Sequence, residues 1–142
     1  MNGVFAAGVV LLALACDASA APAAATLRTG EAVYARCMGC HALAYDRTGP
    51  RHCGLIGRRA GSVAGFAYSE AMKASDIVWT ARTLDRFLKD PTAAVPGTSM
   101  GYAGVPDPAE RAALIAYLKH AGAGPECGEN SDKRRSHGAG AG

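Results

Sequence analysis

Residues 34–43 read "YARCMGCHAL", with two cysteines and a histidine inside five positions, Cys37-Met38-Gly39-Cys40-His41. Three chemistries use such a cluster: a thiol redox pair, a corner of a zinc site, and the covalent anchor of a haem. A redox Cys-x-x-Cys pair wants a βαβ setting, and no strand can be read on either side of this one. A zinc site needs a second ligand pair at short spacing, and only the adjacent His52 and Cys53 offer one. For haem, each thiol adds to a vinyl group and the histidine that follows lies beneath the iron. Spacings of three and four residues bring all three side chains to one side of a helical turn. The surrounding pattern, in an exported chain, favours the haem anchor.

Export is read from the first residues. "VFAAGVVLLALA" (4–15) has the length and apolarity of a signal h-region, too short to span a bilayer comfortably. "ASAAP" (18–22) follows with a small-x-small cleavage pattern after Ala20. The opening "MNG" lacks a basic side chain, which departs from the usual signal. Residues 1–20 are thus predicted to be a removed signal peptide, and the mature chain periplasmic. Cleavage removes Asp17 and leaves 15 basic against 11 acidic residues, a net charge of +4. "LALAC" places Cys16 where lipidation could occur, but Ala13 stands where such signals usually carry leucine. The plain reading is a cysteine discarded with the signal.

The 142 residues suffice for one domain with a true core. Apolar residues make up 49%, but many are alanines, and aromatics are only 6%, so a large apolar cofactor would be a welcome core filler. No basic run suggests nucleic acid. Residues 27–124 read as the domain and 125–142 as a flexible tail without apolar periodicity.

Helices are predicted at 29–40 with Thr29 as cap, near 69–75 with Ser69, at 81–90 with Thr80 and stopped by Pro91, and at 108–121. In the last, Asp107 caps, Pro108 takes the first turn and Glu110 completes a capping box. Leu114, Tyr117, Leu118 and Ala121 form its apolar face. Prolines and glycines across 91–108 oppose regular structure there, and apolar residues oppose disorder. The fold class is all-α.

His41 supplies one axial ligand. Among the candidates for the other, His52 lies close to the anchor, His120 ends a helix and His137 is in the tail. Met38 is inside the motif and Met72 on a short polar helix. Met100, in the irregular stretch, leads, with simple core filling as the alternative.

"TGPRHCGLIGRRAGSVAGFAYSEAM" (48–72), "DIVWT" (76–80), "PGTSM" (96–100) and "LIAYLK" (114–119) occur in the order found in class I c-type cytochromes. Over about 29–121 the chain resembles the mitochondrial and related bacterial members of that family. The resemblance implies a single-domain cytochrome c fold around one covalent haem c, held through Cys37 and Cys40, with His41 and Met100 as iron ligands. It implies that the Pro50 carbonyl accepts the His41 N–H, that Arg58, Tyr68 and Trp79 hold one haem propionate, and that Thr98 sits beside the other. It implies that Gly30 and Tyr34 cross the last helix at Leu114 and Tyr117, and that the chain after that helix passes the loop of Cys53. A disulfide between Cys53 and Cys127 is therefore expected.

Departures from the family are equally specific. Phe87 stands where a tyrosine usually binds the methionine sulfur, and Met72 where an asparagine orders a buried water. Thr92, Ala93 and Ser99 replace lysines that ring the haem edge in mitochondrial proteins, and the segment between His41 and Thr48 is shorter. The implied function is one-electron transfer between respiratory partners that dock transiently at the haem edge of a monomer. Service as a haem subunit or electron-entry module of a larger dehydrogenase or oxidase is the alternative. Ligand sensing or peroxidase chemistry is the remaining one, without a distal base or carboxylate pair to support it.

Overall fold

A computed structural model describes residues 20–128. Five helices run in the order α1 (Ala20–Tyr34), α2 (Glu70–Ala74), α3 (Ala81–Lys89), α4 (Pro91–Ala94) and α5 (Pro108–Ala121). No strand forms among the described residues; an isolated bridge joins Arg59 and Val78. The signal segment, save Ala20, and the tail beyond 128 lie outside the described residues.

The first helix departs from its expected limits. It starts at Ala20, nine residues before the expected cap, and Thr29 donates its hydroxyl to the Ala25 carbonyl instead of capping. Ala23, Ala24 and Ala25 favour helix, and Pro22 falls in the first turn, where its missing N–H costs nothing, so the helix runs on upstream of Thr29. At its far end the α-helix stops at Tyr34, and residues 35–40 wind on as tighter turns. Arg36 N–H binds the Val33 carbonyl, Cys37 the Tyr34 carbonyl and Cys40 the Cys37 carbonyl. These i→i+3 bonds are the signature of a narrowed last turn.

The other caps form where their side chains predict. Ser69 accepts from the Met72 N–H, and Thr80 and Thr83 exchange both bonds of a capping box. Pro91 ends α3 but also opens the single turn of α4, because Asp90 caps it and proline suits a first helical turn. The stretch 91–108 is therefore less irregular at its start than expected. Asp107 accepts from the Glu110 N–H, yet the reciprocal half of the expected capping box is absent. The Glu110 carboxylate instead takes both guanidinium nitrogens of Arg36, at 2.7 and 2.8 Å.

The core centres on the crossing of α1 and α5. Gly30 is buried there, and a Cβ on it would lie 2.1 Å from the Ala113 carbonyl oxygen and 2.7 Å from Tyr117 Cβ. Only glycine allows this approach. Val33, Tyr34, Leu114 and Leu118 close the crossing, and the Tyr34 and Tyr117 rings lie 5.2 Å apart. Ala113, Ile115 and Arg111 of α5 are buried as well, whereas Tyr117 and Ala121 are half-buried. The buried face of α5 is thus wider than the expected stripe, because α3 packs on its other side. Leu84, Phe87 and Leu88 come from α3, and Trp79 meets Phe87 at 5.0 Å. Met72 is buried among them.

Candidate functional site

The site begins at the turns that follow α1. They present Cys37 half-buried and Cys40 exposed, both as free thiols. Burial pushes the Cys37 thiol above its ordinary pKa, so it rests protonated. Cys53 and Cys127, by contrast, are bonded to each other, with their Cα atoms 5.3 Å apart. That bond removes Cys53 from any zinc set. Residues 125–128, expected to belong to the flexible tail, instead form a helical turn in which Cys127 is buried, because the disulfide fastens them to the loop of Cys53.

His41 is buried, and its Nδ1 lies 2.8 Å from the Pro50 carbonyl oxygen. A carbonyl only accepts, so Nδ1 carries the proton. Burial lowers the pKa of the ring, against the opposing pull of that carbonyl, and the imidazole is neutral. Its Nε2 therefore holds a free lone pair, the form that ligates a metal. The neighbouring loop is tied at several points. Gly49 N–H binds the Cys40 carbonyl at 2.7 Å, Arg47 N–H binds the Gly49 carbonyl at 2.9 Å, and the Arg47 side chain reaches the Met38 carbonyl. Gly49 must be glycine, since a Cβ there would sit 2.3 Å from Cε1 of His41.

His52 stacks on His41, with ring centroids 4.4 Å apart and planes inclined by 21°. Two ligands on opposite faces of one planar cofactor must point end-on at the iron. Side-by-side stacked rings cannot do this, so His52 is no partner ligand for His41. Sequence reasoning weighed His52 only as a ligand and passed over Gly49. For the latter the signal was the "TGP" tripeptide itself.

Met100 is half-buried and packed against the core together with Leu43, Tyr68, Ala71, Ile77, Ala94 and Tyr102. Its N–H is received by the Thr98 hydroxyl at 3.2 Å. Arg58 donates to the carbonyls of Cys53 and Arg51 at 2.8 and 2.9 Å. Burial is the main cause lowering its pKa, and the nearby Tyr68 opposes that. The Tyr68 hydroxyl receives the Val63 N–H, and Trp79 is buried. The structure thus gathers Arg58 and Tyr68 on one side and gives Thr98 and Met100 to the loop after α4.

These residues fit a haem. Two thiols of a Cys-x-x-Cys pair stay free in a chain whose other described cysteines are bonded, an imidazole offers Nε2, and half-buried apolar side chains stand ready to be covered.

Comparison with known proteins agrees. Residues 27–122 match the cytochrome c family. The chain is 45% identical to cytochrome c2 of Blastochloris viridis over 106 residues, covering 72% of this chain and 84% of that protein. It is 42% identical to cytochrome c-550 of Nitrobacter winogradskyi, over 65% of this chain and 87% of that one. Among solved structures, cytochrome cH from Methylobacterium extorquens superposes with a TM-score of 0.64 at 38% identity, covering 66% of this chain and 96% of that one. The chain belongs to the cytochrome c family: an all-α electron carrier that binds one covalently attached haem c.

Proposed function

We propose that the chain is an exported, monomeric one-electron carrier whose haem is attached through Cys37 and Cys40 and ligated by His41 and Met100. The observation that carries this reading is the 2.8 Å contact from His41 Nδ1 to the Pro50 carbonyl, which leaves Nε2 as the free donor. When bound, the haem supplies one reversible electron at its iron. The protein's part is to hold both ligands fixed, so that little reorganises as the charge changes. The Pro50 carbonyl orients the His41 ring and raises its basicity. Met100 would favour the reduced state, as a thioether does. With His41 and Met100 both given to the iron, no open position would remain for a substrate, which favours a carrier over an enzyme.

Arg58, Tyr68 and Trp79 would hold one propionate and Thr98 the other. Arg58 would offer the propionate the N–H groups not already given to the Cys53 and Arg51 carbonyls. Electrons would leave through the haem edge to respiratory partners docked over a small, short-lived interface. The net charge of +4 on a chain cleaved after Ala20 suits a partner with an acidic rim. Export rests on residues 1–20 and places the carrier in the periplasm. Among the described residues no helix is long and apolar enough to cross a membrane.

The test is Met100→Ala in the haem-loaded protein. The sulfur-to-iron charge-transfer band should vanish and the reduction potential fall. An unchanged spectrum and potential would refute the ligand assignment.

A further inference from the structure

His52 has no role in the carrier reading above, yet the structure commits much of the loop to it. Its ring lies face to face with His41 at 4.4 Å. On its other side, Nδ1 meets the Tyr34 hydroxyl at 3.1 Å, a bond that either tautomer of the imidazole satisfies. Its backbone N–H is shared between the carbonyls of Ala42 and Leu43, at 3.1 and 3.0 Å. The next residue, Cys53, is fixed to Cys127, and the following Gly54 N–H binds the Gly122 carbonyl at 3.0 Å. The ring is thus anchored through its own nitrogen and through three successive residues of backbone.

An apolar side chain would fill the same space without desolvating two ring nitrogens. Burial pushes the His52 pKa down to about 3, with the nearby His41 and Arg58 adding to the effect.

What it contributes follows from what His41 lacks. One hydrogen bond, to the Pro50 carbonyl, tolerates tens of degrees of ring rotation before it weakens seriously. Gly49 lies over the ring, where a Cβ would come within 2.3 Å of Cε1, 2.5 Å of Nε2 and 2.6 Å of Nδ1, but as glycine it offers only backbone there. A flat ring stacked on His41 adds what neither gives, contact across the plane of the imidazole that restricts rotation about the Cβ–Cγ bond. We propose that His52 is a positioning residue for the ligand His41. Stacked on that ring and held by the Tyr34 hydroxyl, it fixes the plane of the imidazole and lowers the reduction potential. The plane of an axial imidazole decides how the iron d orbitals split. A polarisable π face beside a ligand that becomes more positive on oxidation favours the oxidised state, as an aromatic face favours a cation.

The inference rests on the reading that His41 ligates iron, so the first measurement is the wild-type holoprotein. A wild type without a low-spin, six-coordinate spectrum overturns that reading and this inference with it. Given that spectrum, three variants are compared by the ferric haem-methyl NMR shifts, the electron paramagnetic resonance g values and redox titration. His52→Leu keeps the bulk and loses the flat ring. It should redistribute the methyl shifts and raise the potential while the low-spin spectrum persists. His52→Phe keeps a flat ring but loses the Tyr34 bond, and should depart from wild type on both readouts by clearly less than His52→Leu. A merely structural role would lower the melting temperature of His52→Leu without moving either. Wild-type shifts and potential in His52→Leu overturn the proposal, as does His52→Phe departing as far as His52→Leu. Should His52→Leu fail to fold, Tyr34→Phe carries the test. With His52 untethered, a smaller redistribution in the same sense is expected, and an unchanged pattern overturns the proposal.

Discussion

The loop that carries His41 and the loop that carries Met100 are held by different means. From Cys40 to Gly54 the chain is closed by backbone bonds at Gly49, His52 and Cys53, by the Pro50 carbonyl, and by a disulfide to the residues after α5. From Gly101 to Gly104 no backbone-to-backbone hydrogen bond forms, and the loop is fastened at its ends. Thr98 receives the Met100 N–H at one end, and Arg111 donates to the Val105 carbonyl at the other. The histidine side is rigid through directional bonds. The methionine side depends on the packing of one flexible side chain, in a chain where Phe87 offers no hydroxyl to the sulfur. The two axial ligands proposed here should therefore fail at different thresholds.

The disulfide is the largest single support of the histidine side, since it joins residues 74 apart. Replacing Cys53 and Cys127 by alanine should lower the unfolding free energy by about 2–4 kcal/mol in a denaturant titration of the holoprotein. The sulfur-to-iron band should still yield to added imidazole at the wild-type concentration. Earlier loss of the band would show that the two loops are coupled, and the contrast between them would fall.

Arg111 tests the other side. Its guanidinium is buried, donates to Asp85 at 2.7 Å, and holds the carbonyls of Val105 and Pro106 at 2.8 and 3.1 Å. It pins the far end of the methionine loop to α3 and α5. Arg111→Met keeps the packing and loses these bonds, at a cost of about 2–3 kcal/mol. The charge-transfer band should now disappear at a lower denaturant concentration than the global transition. If band and fold are lost together, the loop has no independent weakness.

Gly49→Ala strikes the histidine ring directly, with a methyl 2.3 Å from Cε1 where nothing can yield except His41 itself. Overpacking of this kind costs about 1–3 kcal/mol. Here part of that cost falls on ligand geometry. The reduction potential should shift while the sulfur band is retained, the reverse of the Arg111→Met pattern.

How much of this could be read in advance depends on the distance over which each cause acts. Ser69, Thr80 and Asp107 cap helices through bonds to residues three positions away, and their roles were plain in the sequence. The cysteine and histidine spacing was legible for the same reason. The start of α1 was not, because Thr29 is as able to bond back to Ala25 as to cap, and the alanines before it settled the matter. Glu110 was assigned to its own helix end, and a residue 74 positions away claimed it. His52 and Gly49 act on His41 only once the loop has folded back on itself. Their chemistry is visible in sequence, but their orientation is not. The resemblance supplied the rest, including the pairing of Cys53 with Cys127 that no local spacing dictates.

The smallest effect concerns that unforeseen contact. Arg36, next to Cys37, grips Glu110 with both nitrogens and so ties the cysteine turn to the start of α5. The side-chain hydrogen bonds from Arg36 are the main cause holding the Glu110 carboxyl below its ordinary range, with burial opposing. A carboxyl with a lowered pKa in the folded state stabilises the fold above its unfolded pKa. That stabilisation is lost as pH falls through the lowered folded value. Both groups face solvent, so salt screens the pair and its contribution is slight. Glu110→Gln should melt marginally below wild type at neutral pH and low salt. The gap should close as the solution is acidified below the carboxylate range, and it should close at neutral pH in high salt. Melting curves of the two proteins over pH and salt make the comparison. A gap that persists in acid would mean that Glu110 acts through packing on Arg36, and the turn bearing Cys37 would then owe its place to shape and not to charge.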